Sequence, residues 1–299
     1  MTTWQPDADE TLLARCGVGF ATGVATPVSG MRWFRDTERR DIQDELPGWP
    51  AGQRFAPRTK TERRLRDGRK FGARFLLVAT LGVLESLAGS GSTGNVARLG
   101  QPEEPENEVE DFPVMWAASG TLARTLPWQL DPGRRPDIER THMVVTDRRV
   151  LVLGLLDDKD EPNDEVLWET PRSNVAAAQR MQFSQYEVDF KLVFVDGSWC
   201  RLAGWNTNCR DDVTRFLATP PELVAREALT AGQRQTIAKF LKRQGQDRIG
   251  DLLITRRPSG HFRAEYLRTD LIDPDYGISS DVCLMGANGE TVNYEQGDL

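Results

Sequence analysis

FSQYEVDFKLVFVDGSWCRLAGW, residues 183–205, decides the fold. Tyr186, Val188, Phe190, Leu192 and Phe194 recur at every second position, and strand side chains alternate between faces, so these five share one face of a β-strand. Asp196-Gly197 supplies a tight turn into a second strand over 198–202. Burying five such side chains is worth roughly 1.5–3 kcal/mol each. A one-residue slip would turn them all to the wrong face, so the register is strongly specified.

Upstream, THMVVT (141–146) and RRVLVLGLL (148–156) are apolar, β-branched runs that meet at Asp147-Arg148, the pattern of a tight hairpin. VLWET (166–170) adds a strand and PRSNVAAAQRMQ (171–182) leads on from it. Downstream, Asn206-Thr207-Asn208 offers helix N-caps, while Cys209, Val213, Phe216 and Leu217 fall at helical spacing. Thr219-Pro220-Pro221 ends that helix. Several antiparallel strands followed by one closing helix place residues 139–219 in an α+β domain.

The stretches HMVVTDRRVLVL (142–153), VLWETPRSNV (166–175), FKLVFVDGSW (190–199) and DDVTRFLA (211–218), in that order, resemble bacterial pleckstrin-homology-like domains, including the GRAM-like branch. The resemblance covers about a quarter of the chain. It implies a seven-stranded, strongly bent antiparallel sheet closed by a C-terminal helix, serving as a binding module for lipid head groups or proteins and not as a catalyst. Basic residues near the first hairpin bind phosphoinositides in some eukaryotic members. Here Arg148 and Arg149 fall there, beside the acidic loop DDKDEPNDE (157–165), so a protein partner is the expected ligand.

The rest of the 299-residue chain divides by composition. Residues 1–53 are mixed, with a short apolar run at 11–14 and the Gly-rich GVGFATGVATPVSG at 17–30. That stretch is no nucleotide loop, because position 22 is Thr where GxGxxG needs Gly and no GKS or GKT follows. Residues 54–100 join a basic run to FLLVATLGVLESLAG and the flexible break GSGSTGN, which predicts a partly helical region. Residues 101–138 hold QPEEPENEVED, an acidic linker, and then DFPVMWAASGTLARTLPW, read as a strand plus a docking segment. Residues 220–299 read as a small α+β appendage. It comprises a helix over 220–244, a hairpin over 251–267 and a second hairpin over 281–294 that turns at Asn288-Gly289.

Composition argues against several chemistries. The chain holds two histidines, His142 in an apolar strand pattern and His261 at a hairpin tip, so it is poor in the commonest general base and metal ligand. Neither neighbours a GxSxG elbow or a second ligand at helical spacing. The acidic loop lacks the glycine of an EF-hand and contains Pro162; it reads as a solvated loop that discourages edge pairing. No catalytic residue, metal site or cofactor is predicted. Cys16, Cys200, Cys209 and Cys283 form no CxxC, and the first 30 residues lack the layout of a signal peptide. Free thiols in a cytoplasmic protein are expected, with a Cys200–Cys209 bridge as the alternative.

Charge carries the remaining functional signal. The net charge is −7, yet residues 1–100 hold 15 Lys/Arg against 11 Asp/Glu, and 32 of the 38 cations are Arg. Between 54 and 74 the local charge is +7. Arg58, Lys60, Arg63, Arg64, Arg66, Arg69, Lys70 and Arg74 are the candidate membrane- or phosphate-binding residues. At roughly 1 kcal/mol per charge near an anionic membrane, they supply on the order of 7 kcal/mol before ordering costs, about micromolar to tens of micromolar affinity. The adjoining apolar stretch 74–88 would span about 22 Å as a helix, short of the ~30 Å hydrocarbon core. Peripheral contact is therefore expected instead of a span. Two other readings stay open: nucleic-acid phosphates, with Phe55 and Phe71 as the aromatics at hand, and pairing with the acidic remainder of the chain. The sequence predicts a non-enzymatic binding or adaptor protein, with nucleic-acid binding or an enzyme with an inter-domain site as alternatives.

Overall fold

A computed structural model of the chain describes residues 3–21, 32–50, 59, 61, 112–136, 139–156, 163–181, 187–218, 221–245, 252–273 and 275–293. Among them, nine strands make the first sheet: β1 (Leu12–Phe20), β2 (Phe34–Arg35), β3 (Met115–Trp116), β4 (Glu139–Thr146), β5 (Arg149–Leu156), β6 (Asp164–Pro171), β7 (Val175–Arg180), β8 (Asp189–Phe194) and β9 (Trp199–Gly204). All neighbours pair antiparallel except β2 with β3.

The alternating run is β8, with Phe190, Leu192 and Phe194 fully buried. Val188 precedes the strand half-buried, and Tyr186 lies outside the described residues. Gly197 takes φ +80°, the left-handed conformation that the β8–β9 turn requires and glycine adopts without penalty. Asp147-Arg148 joins β4 to β5 as a two-residue turn.

The strand between β4 and β9 comes from far upstream. Residues 12–17 of β1 pair with β4, and residues 18–20 pair with β9. One strand thus belongs to two ladders and the sheet bends across it, giving the order β6-β5-β4-β1-β9-β8-β7. The short β3 takes the stretch of the β9 edge that β1 leaves, Met115 opposite Cys200 and Trp116 opposite Trp199. The sheet is therefore built from more than 139–219, and a nine-residue strand stands where the sequence shows only a mixed segment.

The segment after the acidic stretch is described from residue 112. It makes β3 and short 3₁₀ turns over Leu122–Thr125 and Trp128–Leu130. Its Leu122 and Ala123 N–H groups donate to Asp196 Oδ2 and Ser198 Oγ in the β8–β9 turn.

Helix α1 (Thr207–Ala218) follows β9 and packs against β7 and β1 of the first sheet. Asn206 Oδ1 accepts the Cys209 N–H at 2.8 Å, a first-turn cap. Cys209, Val213, Phe216 and Leu217 are buried against the core that Phe190, Leu192 and Leu202 help to form.

The second sheet is β10 (Glu222–Leu223), β11 (Leu252–Arg256), β12 (Phe262–Asp273) and β13 (Gly277–Met285), antiparallel and in that order. The expected helix over 220–244 is shorter: α2 spans Ala231–Arg243. Thr230 and Gln233 form a capping box that starts the helix there, and the chain before it runs as β10 and a 3₁₀ turn. The 251–267 hairpin is present as β11–β12. The second hairpin is not where the sequence placed it: β13 pairs with β12, and the Asn288-Gly289 turn carries a single bridge, Met285 to Thr291. Ile237, Phe240 and Leu241 of α2 pack on Ile254, Ala264 and Tyr266, whereas Leu253 joins the first core. Alternation along β11 thus puts α2 on one face of this sheet and the larger module on the other.

Among the described residues no helix is long and apolar enough to cross a membrane. The basic run and the apolar stretch 74–88, apart from Thr59 and Thr61, lie outside the described residues, as do Phe55, Phe71 and all eight candidate binding residues: Arg58, Lys60, Arg63, Arg64, Arg66, Arg69, Lys70 and Arg74.

Candidate functional site

Where α1 begins, the two sheets meet around a cavity of about 740 Å³. That size is ordinary for a ligand site. Its walls come from Cys16 of β1, Arg180 of β7, the first turns of α1, and the β12–β13 turn with the strands beside it.

Glycine creates the close approach of the two sheets. Gly277 has φ +84°, and a Cβ there would sit 2.2 Å from the Arg15 carbonyl oxygen. A Cβ on Gly17 would sit 1.9 Å from the Asp275 carbonyl oxygen. Arg140 pairs with Asp275 at 2.8 Å across the same junction.

Residues 276–280 and Val282 all border the cavity. Side chains of a strand alternate between faces, so a consecutive run places the edge of β13 along the opening. That edge has no strand partner over 277–283 among the described residues; only its far end is bridged, at Met285. Two exposed aromatics flank the opening, Tyr276 at 53% and Trp205, next to the lining residue Asn206, at 44%.

Arg180, Asp211, Asp212, Arg215 and Arg263 of the wall are ion-paired, partly through Glu265 behind it, while Asp273 accepts the backbone N–H groups of Asp275 and Tyr276. Arg215 donates to Asp212 at 2.9 Å and to Glu265 at 3.1 Å, and Arg263 reaches Glu265 at 3.0 Å. Burial works against the Glu265 charge, but the two guanidiniums outweigh it and hold its carboxyl below the usual range. Asp212 goes the other way: desolvation outweighs Arg215, and the Glu265 charge adds to it, so the carboxyl is pushed up to about 6. Arg180 and Arg210 both meet Asp211, at 3.2 and 2.7 Å.

Two thiols stand at the inner end. Cys209 Sγ donates to the Tyr276 carbonyl at 3.1 Å, and the Cys16 thiol lies against Cys209. All four cysteines are free, so the Cys200–Cys209 bridge is not formed; Cys200 faces the core from β9. Burial alone raises the Cys200 thiol far above its ordinary range.

Sequence reasoning named Cys209 as an apolar helix position and missed the site. Cys16 and Cys209 are too distant in the chain for any spacing rule; the one local signal was a cysteine three residues after a helix cap. The first-hairpin arginines are placed where expected but are committed. Arg148 pairs with Asp9 at 2.6 Å, and Arg149 with Glu10 at 2.9 Å, Asp7 at 3.2 Å and Glu169 at 3.1 Å. Both are thus ion-paired. The acidic loop is not wholly solvated: Asp164 is half-buried, with its side chain 6% exposed, and accepts from Arg15 and the Trp4 N–H. His142 is a core residue, as read, and its Nδ1 accepts from Arg15 Nε at 3.1 Å. His261 is half-buried after its turn.

Among the described residues no group of three or more His, Cys, Asp or Glu side chains could hold a metal ion. No family model, curated protein or solved structure matches the chain.

Proposed function

We propose that this is a non-enzymatic cytoplasmic binding protein whose pleckstrin-homology-like module engages a protein partner, an extended segment of which lies along the β13 edge at the cavity. One observation carries the site: a strand edge without a partner borders an opening of about 740 Å³ flanked by Trp205 and Tyr276. Backbone groups of such an edge give affinity to an added strand, and exposed aromatics anchor it. The module reading is supported by the seven-strand order β6-β5-β4-β1-β9-β8-β7 and by α1 packing against β7 and β1 of that sheet. A head-group ligand at the first hairpin is disfavoured, because Arg148 and Arg149 are already neutralised by four carboxylates.

Selection from a random phage-displayed peptide library on the full chain tests the reading. Peptides that bind in extended form and lose at least tenfold in affinity with Ser279→Trp, which fills the cavity, or with Trp205→Ala support it. Binders indifferent to both changes overturn it.

Membrane contact through the run 54–74 is a second element, carried by its net charge of +7 beside an apolar stretch. Co-sedimentation with anionic but not neutral vesicles is expected, abolished when Arg63, Arg64, Arg66 and Arg69 become Glu. Equal recovery with both vesicle types ends that part of the proposal. Salt-dependent retention of duplex or single-stranded nucleic acid by the same arginines would transfer the run to the alternative partner.

A further inference from the structure

Cys209 occupies the first turn of a twelve-residue helix, its N–H held by Asn206 Oδ1 at 2.8 Å and its thiol hydrogen-bonded to the Tyr276 carbonyl. The positive end of α1 therefore lies beside its sulfur. Cys16 comes from the middle of β1, on another element, and its thiol rests against that of Cys209. Both side chains are nearly covered, at 2% and 5% exposure, yet both border the cavity, so a small reagent reaches them through it. Cys200 is enclosed in the core. Cys283 packs beside the α2 cluster.

We propose that Cys16 and Cys209 form a reversible two-thiol oxidation site for small hydroperoxides. The Cys209 thiolate attacks the outer oxygen of the peroxide; the O–O bond breaks, the leaving alkoxide or hydroxide takes a proton, and Cys209 becomes a sulfenic acid. The Cys16 thiol then attacks the sulfenic sulfur, the S–S bond forms, and the hydroxyl leaves as water with the Cys16 proton. Two thiols lose two electrons in total, and one hydroperoxide is reduced to one alcohol and one water. A dithiol reductant reverses the change.

The environments of the pair separate these roles. The Cys16 thiol and the backbone N–H groups of Asn206 and Gly17 outweigh desolvation at Cys209 and lower its pKa. Contact with Cys209 and then burial keep Cys16 protonated. A low-pKa sulfur facing a protonated neighbour is the arrangement that makes one a nucleophile and the other a resolving thiol. Oxidation also removes the Cys209 donor from the Tyr276 carbonyl and so loosens the β12–β13 turn at the cavity mouth.

This inference does not rest on the partner-binding reading, since the bond forms with or without a bound segment. The test uses the reduced full chain exposed to hydrogen peroxide, alkylated without reductant, digested and weighed by mass spectrometry. The expected product is one peptide pair joining Cys16 to Cys209, two hydrogens lighter than its parts and separated by dithiothreitol. Cys209 should be modified at least tenfold faster than Cys200 or Cys283. Cys16→Ser should leave Cys209 as a sulfenic acid that dimedone traps, and Cys209→Ser should leave Cys16 unreacted. A bond to any other cysteine, or over-oxidation of Cys209 in the unaltered protein without the Cys16 bond, overturns the proposal. The measurement on the unaltered chain decides the matter even if a variant fails to fold.

Discussion

Arg15 and Asp164 meet in a two-pronged ion pair, Nη1 to Oδ2 at 2.7 Å and Nη2 to Oδ1 at 2.8 Å, with side chains exposed by 1% and 6%. The third guanidinium contact, Nε to His142 Nδ1, ties β1 to β4 inside the sheet. The acidic loop thus contributes at its end a partner for a buried charge.

Removing one partner of such a pair leaves an uncompensated charge, so Asp164→Ala is expected to cost about 3–5 kcal/mol in urea denaturation. Replacing both, Arg15→Met with Asp164→Leu, should recover most of that loss, because no buried charge remains. A double replacement as unstable as the single one would count against this account.

Asp212 sets a pH dependence of definite sign. Its folded pKa, about 6, lies above the ordinary value of 3.8, so the folded state holds the extra proton between those values. Stability is then highest below about pH 4 as far as this group is concerned and falls as pH rises to about 6, by roughly 2–3 kcal/mol at ~1.4 kcal/mol per unit. Asp212→Asn should flatten that part of the curve and raise stability at pH 7; Arg215 keeps Glu265 as a partner.

Glu10 titrates in the opposite sense. Burial opposes its charge, but hydrogen bonds from Arg149 and Thr146 prevail and lower its pKa. Its contribution is present above pH ~4.5 and is lost as pH falls through the lowered value. Glu10→Gln should therefore lower stability at pH 7 and reduce the loss on acidification, as read by thermal melts across pH.

Gly277→Ala should destabilise more than Gly197→Ala. Both glycines have positive φ, a strain of about 1–2 kcal/mol for a residue with a Cβ. A Cβ on Gly197 meets nothing within 4 Å, whereas on Gly277 it collides with the Arg15 carbonyl. The difference between the two measured losses reports the closeness of the two sheets; equal losses would mean that the junction yields.

Thr230→Ala removes the α2 capping box and should cost about 1 kcal/mol, with Thr230→Ser largely neutral. Chemical denaturation and amide exchange in the first turn of α2 measure it.

Much of the hairpin β8–β9 and of α1 was legible because its signals are local. Phe190, Leu192 and Phe194 carry the period of a strand, Asp196-Gly197 the turn, and Asn206 the cap. The same kind of signal was present but unread at Thr230 and Gln233, where T-x-x-Q places the start of α2 and divides the expected helix. The β13 pairing was missed for another reason: β12 takes one edge of β13 through the turn across residues 273–277, a pairing not read from the sequence, while the Asn288-Gly289 turn bridges only Met285 on the other edge.

Within residues 141–218 the sequence by itself marked most of the strands, the turns at Asp147-Arg148 and Asp196-Gly197, and where α1 starts and stops, since these follow from propensity and alternation within a few residues. Only the tertiary structure decided that β1 lies between β4 and β9, with Arg15 and His142 in contact although 127 positions apart. Loop closure costs grow only as the logarithm of length, so a distant strand competes almost as well as a near one for an open edge, and no local pattern names the winner. The Cys16–Cys209 contact follows from that choice. Each cysteine is an ordinary buried residue in its own segment, and the pair exists because β1 passes beneath the first turn of α1.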